Sequence, residues 1–584
     1  MCYTNAEKRF IDFEGYWMNR QAFFDHIRNQ QAVDVLIIGG GVNGIGTFRE
    51  LALNGVNVLL VEKNDFSGGA SAGSSHMLHG GIRYLENGEF RLVREALHER
   101  NRLLKNAPHY AKPLPTTIPI FKLASGLFNA PLKFVGLLDR PAERGAVVIK
   151  AGLTMYDAFT GREQTMPYHD FDLRKKSLEN YPKLNPDIIC TATYYDAWMP
   201  YPERICIDLI RDAEAANENA RAMNYLAASD GAGDTVILTD QLTGKTYPVK
   251  PKVVINAAGP WIDFVNQAMN QDTTFIGGTK GSHLILDHPE LFEATRGHEF
   301  FFENEDGRIV LIFPYMDRVM VGTTDIRIQN PDEAVCTDDE IDYILNLIPK
   351  VFPDMNVTRD NIVFTFSGVR PLPSSEGRTG AISRDHSIRT VKKGVNGLQF
   401  DIHALIGGKW TTFRALSEQT ADVALADLDR ERTVDTKELP IGGGKGYPTD
   451  ERVQDLWFEH LQARTELSLD HLRLLFERYG TYVKPVAEYI GADNDQALEH
   501  VPDYTRREVE FITQNEHVVH VDDFILRRSL IGMLGYANQA AIEEIAAIMG
   551  DVLDWDDDQR TAEIERTLDV LRQKHRVGDL VPLA

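Results

Sequence analysis

The chain has 584 residues, 43% of them hydrophobic, with 62 Lys and Arg against 86 Asp and Glu and a net charge of −24. A prior of about 150 residues per domain predicts three or four units, and the ordinary composition excludes a disordered or fibrous chain. The acidity disfavours nucleic acid and anionic surfaces in general as partners, because binding them requires Lys and Arg to release counterions.

The four cysteines, Cys2, Cys190, Cys206 and Cys336, are scattered and form no CxxC pair. That fits a reducing compartment and excludes a cysteine-rich metal or iron–sulfur site. The first residues carry no apolar core after their charges, so no secretory signal is expected. No run approaches the roughly 18 apolar residues of a membrane span. A cytoplasmic protein is expected, or one attached to a membrane only at its face.

Residues 1 to 33 are polar and aromatic and read as an extension with a helix packed on the body. Val35 to Ile38 is an apolar β-branched run that breaks into glycines, the pattern of a buried strand turning into a helix. Gly39 permits the tight turn, Gly41 lets the backbone approach a pyrophosphate, and Gly44 lets the helix pack on the strand. A second strand, Asn57 to Val61, ends in Glu62, 23 positions after Gly39, where a carboxylate can take ribose hydroxyls. The pattern predicts a dinucleotide on a helix N-terminus and leaves NAD and FAD both open.

The stretch from Asp65 to Glu86 is dense in Gly, Ser and Ala and embeds His76, His79, Arg83 and Tyr84. It suits a backbone laid against a flat cofactor. Phe90 to Leu104 reads as a helix. From Ile120 to Lys150 five basic residues face two acidic ones in an apolar background, which fits either a surface resting in lipid headgroups or an interior helix pair interrupted at Pro131. Arg204 to Asn219 predicts a helix, Thr235 to Thr239 a strand, and Lys252 to Asn256 a buried strand ending in Ala257, Ala258 and Gly259. Strands are predicted at His283 to Leu286, Ile309 to Phe313 and Val319 to Gly322, and a helix at Thr411 to Ala426. The glycine run Gly442 to Gly446 reads as a linker, because no strand precedes it and no Lys-Ser/Thr ends it. Helices at Glu451 to Arg464, Leu469 to Arg478 and Asp558 to Lys574 predict a separate helical domain.

The block Ser74-Ser-His-Met-Leu-His-Gly-Gly-Ile-Arg-Tyr-Leu-Glu86 resembles the FAD-dependent (aerobic-type) glycerol-3-phosphate dehydrogenases. So do Lys280-Gly-Ser-His283, Val321-Gly-Thr-Thr-Asp325, Phe366-Ser-Gly-Val-Arg-Pro-Leu372, Ile382-Ser-Arg-Asp385 and Gly407-Gly-Lys-Trp-Thr-Thr-Phe-Arg414, spread from about residue 34 to the C-terminus. The resemblance implies FAD and an α/β + α two-dinucleotide-binding-fold flavoprotein. Its FAD Rossmann-like domain would comprise residues 34–110, 201–265 and 363–430. An antiparallel β-sheet substrate or cap domain would take residues 111–200 and 266–362. The helical domain of residues 440–584 would close the chain after the extension of residues 1–33.

For the cofactor, the resemblance implies Gly39, Gly41, Asn43, Gly44, Glu62, Lys63, Ser71, Ser75, His79, Gly80, Gly81, Ala258, Gly259, Gly408, Lys409 and Thr411, with the flavin ring near Gly80 to Tyr84. For the substrate it implies Arg83, Tyr84, His283, Arg370, Arg384 and Lys409. A phosphate dianion calls for fixed cations, Arg above all for bidentate contacts. Of the catalytic candidates His283, Arg370 and Lys409, His283 ranks first as proton acceptor because histidine titrates near working pH. Arg370 or Lys409 would instead stabilise the alkoxide by charge. The expected partners are glycerol 3-phosphate, a quinone or oxygen as electron acceptor, a membrane face and a second copy as homodimer, with no nucleic acid and no metal. At position 76 the chain has His where the family commonly places Lys, which leaves a related polyol phosphate open as substrate.

Overall fold

The computed structural model describes residues 20–85, 88–122, 145–161, 164–304, 308–374 and 385–578. The side chain of Arg83 lies outside the described set, as do Arg384 and most of the basic apolar segment between 120 and 150.

Two sheets form the body. In the first, Asp401–Ile406, Thr246–Asn256, Ala32–Ile38, Val58–Val61 and Ala220–Met223 lie parallel in that order, with Ser387–Val391 antiparallel at one edge. Val35, Leu36, Ile37, Leu60 and Val61 are buried, as expected for strands covered on both faces. Among the described residues the second sheet has ten strands, nearly all antiparallel, and contains Lys112–Ile120, Cys190–Trp198, Thr279–Leu286, Glu299–Glu303, Ile309–Tyr315 and Arg318–Gly322. Arg20–Asn29 forms a helix that buries Phe23, Phe24 and Ile27 and stacks Phe24 on Tyr247 at 4.3 Å.

Three features differ from the sequence reading. Ile362–Arg370, expected in the cofactor domain with the rest of 363–430, pairs with Thr279–Leu286 in the second sheet, and Met77–Leu78 pairs there with Trp198 and Ala197. An alternating strand reads the same whichever sheet receives it; only the partner's register decides. The Gly442–Gly446 run is a packed seam and not a slack connection. A Cβ at Gly443 would overlap the carbonyl of Tyr479, and one at Gly444 would overlap that of Asn106. The helices beyond residue 450 do not build a core of their own: one hydrophobic cluster runs from Val35 and Ile37 through Tyr110 and Ile205 to Leu472, Ile512 and Leu571.

The seam makes a direct prediction. Gly443→Ala should lower unfolding stability by about 1–3 kcal/mol, the range for overpacking, in denaturant titrations of the purified protein. A slack linker would show no change.

Candidate active site

The first strand enters the cleft through Gly39, whose φ of +113° suits glycine and whose Cβ would fall 2.6 Å from the Ala257 carbonyl carbon. A Cβ at Gly44 would overlap the carbonyl of Gly39, so the helix Val42–Leu53 packs against the turn only as glycine. The N-cap residue of this helix, Gly41, has no side chain to cap it. The positive dipole end of the helix suits an anion. Ser71 braces the turn: its hydroxyl accepts from the Val42 amide at 3.0 Å and its carbonyl from the Trp410 indole at 2.9 Å. The amide of Asn43 lies beneath Gly408, where a Cβ would meet it at 2.8 Å.

Glu62 ends the second strand and accepts from the amides of Gly40 at 2.7 Å and Asn64 at 2.9 Å. Burial raises its pKa, opposed by those two amides. Lys63 lies 4.7 Å over the Trp261 ring. Gly39, Gly41, Asn43, Glu62, Lys63, Ser71, Ala258 and Gly259 line a single cleft. A glycine-walled groove with a helix N-terminus at one side and a carboxylate at a strand end fits an adenine dinucleotide.

Farther along, Gly80 donates its amide to the Tyr156 hydroxyl at 2.9 Å and to Asp196 at 3.1 Å, while Arg100 pairs with Asp196 at 2.8 Å. This buried trio fixes the turn that carries His79, Gly80 and Gly81. Arg100 and Asp196 were missed in the sequence because they stand 96 positions apart with no local motif. The Thr411 hydroxyl donates to the His79 carbonyl at 3.1 Å, and the Lys409 ammonium lies 4.8 Å from the centre of the Tyr84 ring. Thus His79, Gly80, Gly81, Tyr84, Lys409 and Thr411 meet in one place.

His283 and Arg370 project from paired strands of the second sheet. Thr279 opposes Arg370, and His283 opposes Phe366 and Gly322. A Cβ at Gly281 would overlap the Arg370 guanidinium, and one at Gly322 would overlap the His283 ring, so two glycines admit the two functional side chains. Arg370 donates to the Thr323 hydroxyl at 3.1 Å and pairs with Asp325 at 3.3 Å. His283 stacks on Phe366 at 4.7 Å, and its Nε2 lies 2.8 Å from the hydroxyl of Ser75. The expectation that His283 titrates near working pH is corrected: burial, the Arg370 charge and His76 hold its pKa down at about 3. The imidazole is therefore neutral, and its approach is through the half-buried Ser75.

Behind this pair lies a network that no sequence pattern announced. Glu340 accepts from Lys280 and Thr324, both at 2.6 Å, and from Ser282 at 2.8 Å. The Thr324 carbonyl in turn accepts from Arg370 at 3.4 Å. His76 is fully buried with φ +56°, and its ring packs against Tyr315 and Phe366. Burial holds its pKa at about 4.

Residues 34–407 match the family described as FAD dependent oxidoreductase, and residues 434–560 match the C-terminal domain of alpha-glycerophosphate oxidase. A glycerol-3-phosphate dehydrogenase of Synechocystis is 32% identical over 581 residues, covering 94% of this chain and 98% of its own. A D-erythritol 1-phosphate dehydrogenase of Brucella abortus is 30% identical, covering 85% of this chain and 94% of its own. The fold matches the structure of a glycerol-3-phosphate dehydrogenase from Bacillus halodurans complexed with FAD, with a TM-score of 0.73 at 21% identity, over 96% of this chain and 98% of that one.

Neutral buried histidines set a sign for pH dependence. Between about 4 and 6.5, unfolding frees His76 to bind a proton that the folded protein excludes, so stability falls as the solution is acidified. His76→Phe should remove about 1.5 kcal/mol of the loss between pH 6.5 and pH 5, measured by denaturant unfolding at each pH. An unchanged slope would mean that His76 carries a proton in the fold.

Proposed function

The chain belongs to the FAD-dependent oxidoreductases, in the glycerol-3-phosphate dehydrogenase family, and from that membership we propose that it oxidises sn-glycerol 3-phosphate to dihydroxyacetone phosphate and delivers the electrons to a membrane quinone. The observation that carries the reading is the placement of a guanidinium and a neutral imidazole on one strand pair, Arg370 opposite Thr279 and His283 opposite Phe366. The first suits a phosphate and the second an alcohol proton.

In this reading Arg370 and Lys409, with Arg83 and Arg384, hold the phosphate, and Tyr84 borders the carbon chain. Bound FAD supplies the acceptor for the hydride that leaves C2 with its electron pair. The hydroxyl proton passes to Nε2 of His283, with the Ser75 hydroxyl on the path because it stands 2.8 Å from that nitrogen. The positive charge of Arg370 stabilises oxygen as its proton departs; burial above all, and then that charge, lower the basicity of His283, so substrate phosphate, by offsetting Arg370, relieves the second of these. Proton uptake is thereby tied to an occupied phosphate site.

The quinone reading draws support from the helix Ala146–Thr160, which leaves Val147 49% and Met155 39% exposed. Lys150, on the same helix, lies over the Phe171 ring at 5.2 Å, two residues from Leu173, which is 76% exposed. Apolar side chains beside lysine suit a headgroup layer. Among the described residues no helix is long and apolar enough to cross a membrane. A related polyol phosphate is the second substrate reading, favoured by His76, since a neutral ring stands where an ammonium is usual.

Anaerobic addition of glycerol 3-phosphate should bleach the flavin absorbance, and a quinone analogue should restore it. Absence of bleaching sinks the substrate reading; rapid recovery in air with peroxide release makes the protein an oxidase. Faster bleaching by D-erythritol 1-phosphate would transfer the assignment to that alcohol. Arg370→Ala should raise KM by about a hundredfold, the loss of a charge-assisted phosphate contact worth about 2–3 kcal/mol, while FAD content is retained.

A further inference from the structure

Beside the cofactor cleft the helical unit grips Asp65. This carboxylate is 1% exposed and lies between Glu62 and the turn Gly68–Ser71, both of which line the cleft. It accepts two hydrogen bonds from Arg528, at 2.7 and 2.9 Å, a third from Arg527 and a fourth from the Asn224 amide at 3.0 Å. Both arginines come from the π-helical turn Phe524–Arg528. That turn is anchored from behind, since Arg528 also donates to the Glu516 carbonyl and Arg204 spans from Glu516 to the Arg528 carbonyl. Arg527 continues to Asp523 at 2.6 Å, whose carboxylate also accepts from the Tyr225 hydroxyl. The neighbouring Glu62 spends both oxygens on the amides of Gly40 and Asn64, so the backbone just before Asp65 is tied to the dinucleotide turn itself.

We propose that the helical unit is the clamp of the cofactor cleft: Arg527 and Arg528, acting through Asp65, position the Glu62–Ser71 segment and thereby set how tightly FAD is retained. They are positioning residues. A buried carboxylate gripped by two guanidinium groups is rigid, whereas one left without them is driven to seek water, and the segment that follows it has one core side chain, Phe66, ahead of five small residues, Ser67 to Ser71. A second contact supports the same reading. Asp332 accepts from the Trp261 indole at 2.8 Å and pairs with Lys63 at 3.4 Å, two side chains of the cleft wall, while its carbonyl accepts from Lys574 of the last helix at 2.7 Å.

The test uses the holoenzyme. Asp65→Asn and Arg527→Gln are compared with Arg478→Met, which breaks the buried Arg478–Glu508 pair inside the helical unit and touches no residue of the cleft segment. FAD release is followed by the recovery of flavin fluorescence at a temperature where circular dichroism shows each variant folded. The clamp variants should release FAD about tenfold faster, a coupling within the range for contacting residues, whereas Arg478→Met should lower the melting midpoint and leave release within about twofold of wild type. Where Asp65→Asn fails to fold, Arg527→Gln decides, because Arg528 still pairs with Asp65 and the Arg527 side chain is partly exposed. Release unchanged in the folded clamp variants, or equally accelerated in Arg478→Met, overturns the proposal.

Discussion

At Gly73 and Gly368 the loop of the first layer and a strand of the second touch backbone to backbone. A Cβ on Gly73 would fall 2.5 Å from the Gly368 Cα, and one on Gly368 would overlap the Gly73 carbonyl. This approach fixes the rest of the site. Two residues beyond Gly73 the Ser75 hydroxyl meets His283, and two beyond Gly368 stands Arg370. A side chain at either glycine would part the layers and separate the dinucleotide cleft from the cations that face it.

Inside, guanidinium groups meet carboxylates, with Arg100 on Asp196, Arg204 on Glu516, Arg478 on Glu508 and Arg528 on Asp65, all almost wholly buried. Such pairs add little net stability over apolar packing, but removing one partner costs about 3–5 kcal/mol. They therefore act chiefly as registers. All four join segments that the hydrophobic core already brings together, and they select one docking among the many that apolar contact alone would tolerate.

The same low-dielectric interior shapes the chemistry. His283 and His76 are kept neutral because burial penalises a charge that neither has an anion to offset. A histidine with an aromatic face on one side and a hydroxyl on the other is held neutral by its surroundings. This differs from the freely titrating group that residue type alone suggests.

Much of this molecule was legible in the chain itself, wherever the determinant is local. Gly39, Gly41, Gly44 and Glu62 lie within one strand–helix–strand unit, and Gly39 and Gly44 meet the tight turn and the close helix packing that their spacing announced. The blocks around His79 and His283 named residues that meet other blocks of the same reading, Thr411 on the His79 carbonyl and Ser75 on His283. What tertiary structure alone decided are the pairings across long sequence separations. It assigned Ile362–Arg370 to the second sheet, turned Gly442–Gly446 from linker into seam, and joined Asp65 to Arg528 across 463 positions. It also lowered the pKa of His283. The physical reason is the same in each case: periodicity and turn chemistry act over a few residues, whereas burial, register and charge pairing exist only after the chain has closed on itself.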